Sequence, residues 1–139
     1  MEVKANVTIT IERDGELVER FKVKNLITNG GLNWFRDLAG GTVGRADYQA
    51  VGTGTTAAAA TDTALGAEVT KKTIDRRLDS DKKITFQTLI LEDEANGATL
   101  SEGGLFGGGV LIARALISPT IAKDVSIQVT IEHEVEFSY

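Results

Sequence analysis

The stretch VSIQVTIEHEVEFSY, residues 125–139, decides the fold class of this chain. Apolar residues occupy every second position of the stretch, and polar or acidic residues occupy most positions between them. Because side chains along a strand point alternately to opposite faces, this pattern predicts one long strand with a core-facing apolar side and a water-facing acidic side. The only histidine, His133, falls on the apolar side, so we expect it to be packed in the core rather than to act in catalysis or metal binding.

The composition limits the classes of function. The chain has 139 residues, 42% of them hydrophobic, which suits one globular domain. A net charge of -5 disfavours nucleic acid and anionic membranes as partners. The lack of cysteine excludes disulfides and thiolate metal sites. No stretch reaches the ~18 apolar residues of a membrane span, and no signal peptide is recognisable, so we expect a protein made in a cytosol.

We expect a single, mainly β domain over residues 1–139, with about seven to eight strands and one short helix. Residues 1–25 alternate on both sides of Asp14-Gly15, a dipeptide typical of tight turns, and predict an N-terminal β-hairpin. Residues 47–139 supply the remaining strands. The most economical architecture is an antiparallel β-sandwich, and a partly open β-barrel is the alternative.

The short helix is predicted over residues 29–39. Thr28 or Asn29 provides its N-terminal cap, and Gly40-Gly41 ends it. A helix of this length is unstable alone and needs a sheet to lie on. The apolar stripe that we expect to lie on that sheet consists of Leu32, Phe35 and Leu38.

Three further patterns predict details of the second half of the chain. Residues 68–78 alternate as one polar strand, and residues 110–117 form an apolar strand that we expect to end at Pro119. The glycine-rich segment 103–109 is interpreted as a loop, either a simple turn or a place where another chain approaches closely.

The segment VGTGTTA, residues 51–57, fits the spacing of a dinucleotide-binding fingerprint. That mechanism needs a helix directly after the glycines, whose N-terminal amides bind the pyrophosphate. Residues 57–67 show no amphipathic helical stripe. We therefore interpret Gly52 and Gly54 as a tight turn that leads a strand out of the sheet, and we expect no cofactor.

The segment EDEANG, residues 92–97, resembles the opening of a calcium-binding loop. The twelfth position of such a loop carries a bidentate acid, but here it is Gly103, and Glu102 misses it by one residue. We therefore interpret Asn96-Gly97 as a turn with an acidic rim, and we expect no bound metal.

Glu102 and Arg114 each lie within an apolar surrounding. If both side chains point inward they must pair, since an isolated buried charge is costly. We hypothesise a structural ion pair that fixes the register of the strands. The alternative is that Arg114 extends its charged end to the surface.

Charges are distributed unevenly along the chain. The acidic face of the last strand has a counterpart in a basic stretch around one turn, which suits an acidic protein partner or self-association that weakens with salt. That stretch consists of Lys71, Lys72, Arg76, Arg77, Lys82 and Lys83.

Seven short segments, in their order along the chain, resemble a family of small structural proteins of tailed bacteriophages. The segments are NLITNGGL (25–32), VGTGTT (51–56), TDTAL (61–65), EV (68–69), EANG (94–97), SEGGLF (101–106) and AR (113–114). Members of the family often carry alanine where this chain has Gly31 and Gly103. The positions that we single out as the structural motif are Gly52, Gly54, Asp62, Leu65, Asn96, Gly97, Glu102, Gly104, Leu105, Phe106 and Arg114.

The resemblance implies a non-enzymatic virion protein that assembles as a homo-oligomer in the tail, baseplate or fibre region, from protein made in the host cytoplasm. The alternatives are a decoration (cement) protein on the capsid surface and a receptor- or carbohydrate-binding module of a fibre. The implied partners are other virion proteins, either tail proteins or the major capsid protein, with no small-molecule substrate. We expect the N-terminal hairpin and the C-terminal strand to offer sheet edges to neighbours.

Overall fold

The computed structural model describes residues 2–138 and contains nine strands and one helix over that range. The elements are β1 (Glu2–Arg13), β2 (Glu16–Ile27), α1 (Asn29–Ala39), β3 (Tyr48–Gly52), β4 (Glu68–Thr73), β5 (Arg76–Ser80), β6 (Lys83–Ile90), β7 (Thr99–Gly107), β8 (Val110–Ala122) and β9 (Ile127–Ser138). The prediction of a mainly β fold with one short helix is confirmed. None of the described residues belongs to a helix that is both long and apolar enough to cross a membrane.

All nine strands belong to one antiparallel sheet, in the order β4-β3-β7-β8-β2-β1-β9-β6-β5, which curls into a half-barrel. The two edge strands, β4 and β5, are consecutive in the chain, so the sheet edges meet at Ile74 and Asp75. The Ile74 amide donates to the carbonyl of Asp47, and the Asp75 amide donates to the carbonyl of Gln87. Of the two predicted architectures, the partly open barrel is therefore the closer description.

The alternation in the last strand places its apolar side in the core, as predicted. Ile127, Val129, Ile131 and Val135 are buried, and Val125 lies before the strand and is exposed. β9 pairs with β1 along its whole length and with β6 on its other side. The prediction that this strand offers a free edge is therefore wrong, because hydrogen bonds occupy both of its sides.

Three predicted boundaries in the second half are also wrong. The segment 68–78 is divided into β4 and β5, because the chain passes from one sheet edge to the other at Ile74. Pro119 does not end β8, because a register shift against β7 accommodates it and the strand continues to Ala122. Gly103 and Gly104 lie within β7 rather than in a loop; only Gly108 and Gly109 form the turn.

Helix α1 has the predicted bounds, and Thr28 is its cap, with Oγ1 accepting from the Gly31 amide at 2.9 Å. Of the predicted packing stripe, Phe35 packs against the core cluster, but Leu32 is 52% exposed and Leu38 is 39% exposed. The helix instead packs through buried Gly31 and Trp34. The missing side chain of Gly31 lets the helix backbone contact the backbone of β8 at Ile112, and this close approach decides which face turns inward.

Gly31→Ala and Gly103→Ala should have opposite effects on stability. A methyl group at Gly31 would collide with the Ile112 carbonyl, so we expect a loss of about 1–3 kcal/mol. A methyl group at Gly103 would lie 3.7 Å from the Ala50 carbonyl oxygen, an ordinary contact, and alanine suits a strand better than glycine by roughly 0.5–1 kcal/mol. Urea unfolding of both variants measures the difference, and equal stability would contradict the packing described for α1.

Candidate functional site

Glu102, in the middle of β7, is the centre of the most connected group of polar residues, and its side chain has no exposed surface. The amides of Gly54 and Ala67 donate to its Oε2 atom at 2.6 and 2.7 Å. The Gly66 amide donates to its Oε1 atom at 2.7 Å, and Nε of Arg114 donates to the same atom at 3.1 Å. The hypothesised ion pair is therefore present, and backbone amides complete its surroundings.

Arg114, on β8, extends the network beyond Glu102, and only 3% of its side chain is exposed. Its Nη1 atom donates to Oδ2 of Asp62 at 3.1 Å, and its Nη2 atom donates to the carbonyl of Thr56 at 2.8 Å. The same Oδ2 atom of Asp62 accepts from the Ala59 amide at 2.9 Å. Each nitrogen of the guanidinium group therefore has an acceptor, and two of the three acceptors belong to the loop between β3 and β4.

The sheet register places the two charged side chains diagonally across β7 and β8. Arg114 pairs with Gly104, and Glu102 pairs with Leu116 two positions along the ladder. Diagonal neighbours of this kind share a face and are within reach of long side chains. A slip of one residue would turn one charged side chain to the opposite face, so the ion pair is compatible with one register only.

The segment 53–67, called the covering loop below, lies over this ion pair and buries it. Its backbone approaches the Glu102 carboxylate closely because Gly52 and Gly54 have no side chains. A methyl group on Gly54 would overlap that carboxylate, and one on Gly52 would lie 2.7 Å from its Oε2 atom. The dinucleotide-like segment therefore does bind an anion, through the amide of Gly54, but the anion is the carboxylate of the chain itself.

Most positions of the predicted structural motif meet at this place. Leu65 of the covering loop packs in a cluster with Ala50, Phe106 and Leu111, and the bare backbone of Gly104 makes room for its methyl groups. Leu105 is part of the motif segment but packs in a different cluster, which contains Trp34 and Ala113.

The electrostatic balance at Glu102 favours the charged carboxylate. Burial alone would raise the pKa of Glu102. The hydrogen bonds from the amides of Ala67, Gly66 and Gly54 and from Arg114 outweigh that effect, and the pKa lies below its ordinary value. These contacts therefore contribute stability above the pKa of the unfolded chain, and that stability is lost as the pH falls through the pKa of the folded state.

Asn96 and Gly97 lie apart from this network, in a second polar centre built around Lys123. Lys123 is 2% exposed, and its Nζ atom donates to Oδ1 of Asn96 at 2.9 Å and to the carbonyls of Asp124 and Glu92 at 3.0 and 3.3 Å. The calcium-like segment therefore does bind a cation, but the cation is the ammonium group of Lys123. No sequence pattern indicated this role, because Asn96 and Glu92 precede Lys123 by 27 and 31 residues.

A second lysine connects the same segment to the opposite edge of the sheet. Nζ of Lys72, on β4, lies 2.6 Å from Oε1 of Glu94 and 2.6 Å from the carbonyl oxygen of Leu89. Burial alone would raise the pKa of Glu94, but the contacts with Lys72 and the amide of Leu91 lower it below its ordinary value. Burial lowers the pKa of Lys123 below its ordinary value, although the negative charges of the nearby carboxylates act to raise it.

His133 lies in the core, as predicted, and has no exposed surface. Burial lowers the pKa of His133 from 6.5 to about 3, so the ring is neutral near pH 7. Its Nδ1 atom lies 2.8 Å from Nδ2 of Asn25. The ring therefore contributes a neutral, packed side chain to the sheet interior.

The polar centres around Glu102 and Lys123 both connect loops to the sheet. Within residues 2–138, no three His, Asp or Glu side chains are grouped as metal ligands. Comparisons with protein-family models, curated proteins and solved structures gave no match to this chain.

Removing the Glu102 carboxylate should destabilise the fold strongly. Glu102→Ala leaves Arg114 buried without its partner, so we expect a loss of about 3–5 kcal/mol, and Arg114→Ala should cost a similar amount. Because both variants break one interaction, the double variant should lose clearly less than the sum of the two. Chemical denaturation of all three measures the coupling.

The matched control is Glu134→Ala, which removes a more exposed carboxylate 3.6 Å from Lys83 and should cost about 0–1 kcal/mol. Small, additive losses for Glu102→Ala and Arg114→Ala, similar to that of the control, would contradict a structural role for the ion pair.

Proposed function

We propose that this protein is a non-enzymatic structural component of a tailed-bacteriophage particle, present in multiple copies in the tail, baseplate or fibre region. The resemblance of seven ordered segments to small virion proteins motivates the proposal. Three charged residues of those segments form one network, in which Arg114 binds both Glu102 and Asp62. Their role is to support the fold, which suits a particle component whose contacts are made by its surface.

The observation that carries the proposal is the free edge of β2. This strand pairs with β1 along its length, but among the described residues it pairs with β8 only at Leu26 and Ile27. The backbone donors and acceptors that face the β8 side along residues 16–24 therefore have no partner strand among the described residues and can pair with a neighbouring chain. Monomeric proteins usually cover such an edge, whereas assembling proteins add a strand of a partner to it.

Two exposed apolar side chains at the start of β2 support the same interpretation. Leu17 is 66% exposed and Val18 is 57% exposed, beside the turn of the N-terminal hairpin. Single exposed apolar residues are common, but a pair at the tip of a hairpin with a free edge provides both apolar contact and backbone pairing to a partner.

The interior polar centres also suit a scaffold. The two segments that resemble ligand-binding motifs are filled by Glu102 and by Lys123, so their hydrogen-bonding groups stabilise loops. Such a domain contributes to a particle through many weak contacts under symmetry, which together give a stable assembly.

The proposal predicts that the protein is found in purified particles and that the β2 tip is needed for its incorporation. Val18→Asp should lower the number of copies per particle severalfold, because it places a charge in the contact. Quantitative mass spectrometry of purified particles measures the copy number. Leu38→Asp is the matched control, since Leu38 is 39% exposed on α1, away from the hairpin tip, and should leave incorporation unchanged.

Immunogold labelling of the same particles locates the protein. Label on the tail, baseplate or fibre supports the proposal, and label on the head would replace it with the capsid-decoration alternative. Particles that lack the protein altogether would overturn it.

A further inference from the structure

Three neighbouring strands, β2, β1 and β9, carry three parallel rows of side chains on their outward face. The row on β2 is basic and the row on β9 is acidic. The row on β1 is short and uncharged between them, and it ends at Lys4, which pairs with Glu136. The members are Arg20, Lys22 and Lys24 on β2, Asn6, Thr8 and Thr10 on β1, and Glu132, Glu134 and Glu136 on β9.

This arrangement adds a basic row on β2 to the basic stretch predicted around residues 71–83. The stretch between Lys71 and Lys83 is divided between the two sheet edges, with Lys72 partly buried against Glu94. Lys83, at the end of that stretch, pairs with Glu136 of β9 and lies 3.6 Å from Glu134. A second basic row lies on β2, two strands from β9 in the same sheet.

The register of the sheet aligns the basic and acidic rows level by level. Thr8 pairs with Lys22 on one side and with Glu132 on the other. One level further along the same face, Asn6 pairs with Lys24 and with Glu134. Each level therefore has one cation and one carboxylate on opposite sides of β1, about 10 Å apart at the usual strand spacing.

We propose that this face, formed by β2, β1 and β9, is a contact surface between two copies of this chain. A two-fold axis that runs along β1 exchanges the positions of β2 and β9 and keeps the level of each residue. Lys22 then lies over Glu132 of the second copy, and Lys24 lies over Glu134 of the second copy. Because the operation is reciprocal, each ion pair forms twice.

Charge complementarity selects a second copy over other occupants of this face. A partner surface of one sign would oppose one of the two rows with like charge, which is costly in an interface. A second copy presents both signs at the required levels. Asn6 and Lys24 line a groove on this face, in which water molecules can bridge the two copies.

The basic row is largely available for such a contact. Within residues 2–138, neither Lys22 nor Lys24 forms a salt bridge, and both are exposed. Arg20 reaches Glu132 across β1 only at 4.0 Å, with 64% of the arginine side chain exposed. Glu134 is 3.6 Å from Lys83, and that surface pair is weak enough to exchange partners.

The contact is a weak one. Three strands and two charged levels make a small, polar interface, well below the area of a stable dimer. Weak contacts of this kind become effective when many copies are fixed in one assembly. The inference thus deepens the proposed function, on whose multi-copy assembly its biological effect rests, but it can be measured on the purified protein alone.

The test uses two charge-reversed double variants, Lys22→Glu with Lys24→Glu and Glu132→Lys with Glu134→Lys. Each variant places like charges in opposition across the two-fold axis, so we expect its self-association to fall at least about tenfold. An equimolar mixture of the two variants restores opposite charges at all levels and should associate again. Sedimentation analysis at low salt measures association as mass above the 14.8 kDa of the monomer.

Carbodiimide cross-linking of a mixture of unlabelled and ¹⁵N-labelled protein gives an independent readout. Links between a light β2 peptide and a heavy β9 peptide can arise only between copies, whereas links across β1 within a chain join peptides of one label. We expect light–heavy links between β2 and β9 for the wild-type protein, fewer at high salt, and their return in the mixture of variants.

The matched control is Arg36→Glu with Arg45→Glu, which changes the net charge as much as the double lysine variant does. Both positions are exposed and lie outside this face, so the control should associate like the wild type. If a charge-reversed variant does not fold, as judged by circular dichroism, Lys22→Gln with Lys24→Gln replaces it and should also weaken association. The inference is overturned if the wild type shows no light–heavy links, or if the mixture of variants does not regain association. If the protein does not self-associate but is present in purified particles, the inference fails and the proposed function stands. If the protein self-associates as described but is absent from particles, the proposed function fails and the contact stands.

Discussion

The buried carboxylate of Glu102 imposes the constraint on which the remaining structure depends. A charged group without exposed surface is tolerated only where donors surround it. Here the donors are Arg114 on the neighbouring strand and three amides of the covering loop. The requirement fixes the register of β7 against β8, the course of the loop, and the need for glycine where its backbone meets the carboxylate, at Gly52 and Gly54.

The same principle organises the second polar centre and connects the interior to the proposed role. Segments with the spacing of an anion site and of a cation site are both filled from within, by Glu102 and by Lys123. Among the charges that are not used in this way, two ordered rows lie on the outward face of β2 and β9. Interior charges thus specify one fold, and surface charges remain for contacts with neighbours.

The sequence predicted those features that depend on local pattern or on the cost of burying charge. Strand β9 and the cap at Thr28 follow from residue type and spacing, and the pairing of Glu102 with Arg114 follows from electrostatics. Features decided by close backbone approach were missed, because glycine gives no apolar signal: the strand through Gly103 and the packing of α1 through Gly31 are the examples. The loop amides that bind Glu102 could not be predicted either, since every residue except proline has a backbone amide and residue type does not indicate which amides bind.

Hydrogen exchange at the amides of Gly54, Gly66 and Ala67 tests the central claim most directly. These amides lie in a loop without helix or strand, and loop amides ordinarily exchange through small local openings. If the Glu102 carboxylate binds them as described, they should exchange only when the protein unfolds globally, with a free energy of opening equal to that of core amides in β9. Exchange at the rate of an unprotected loop would contradict the account.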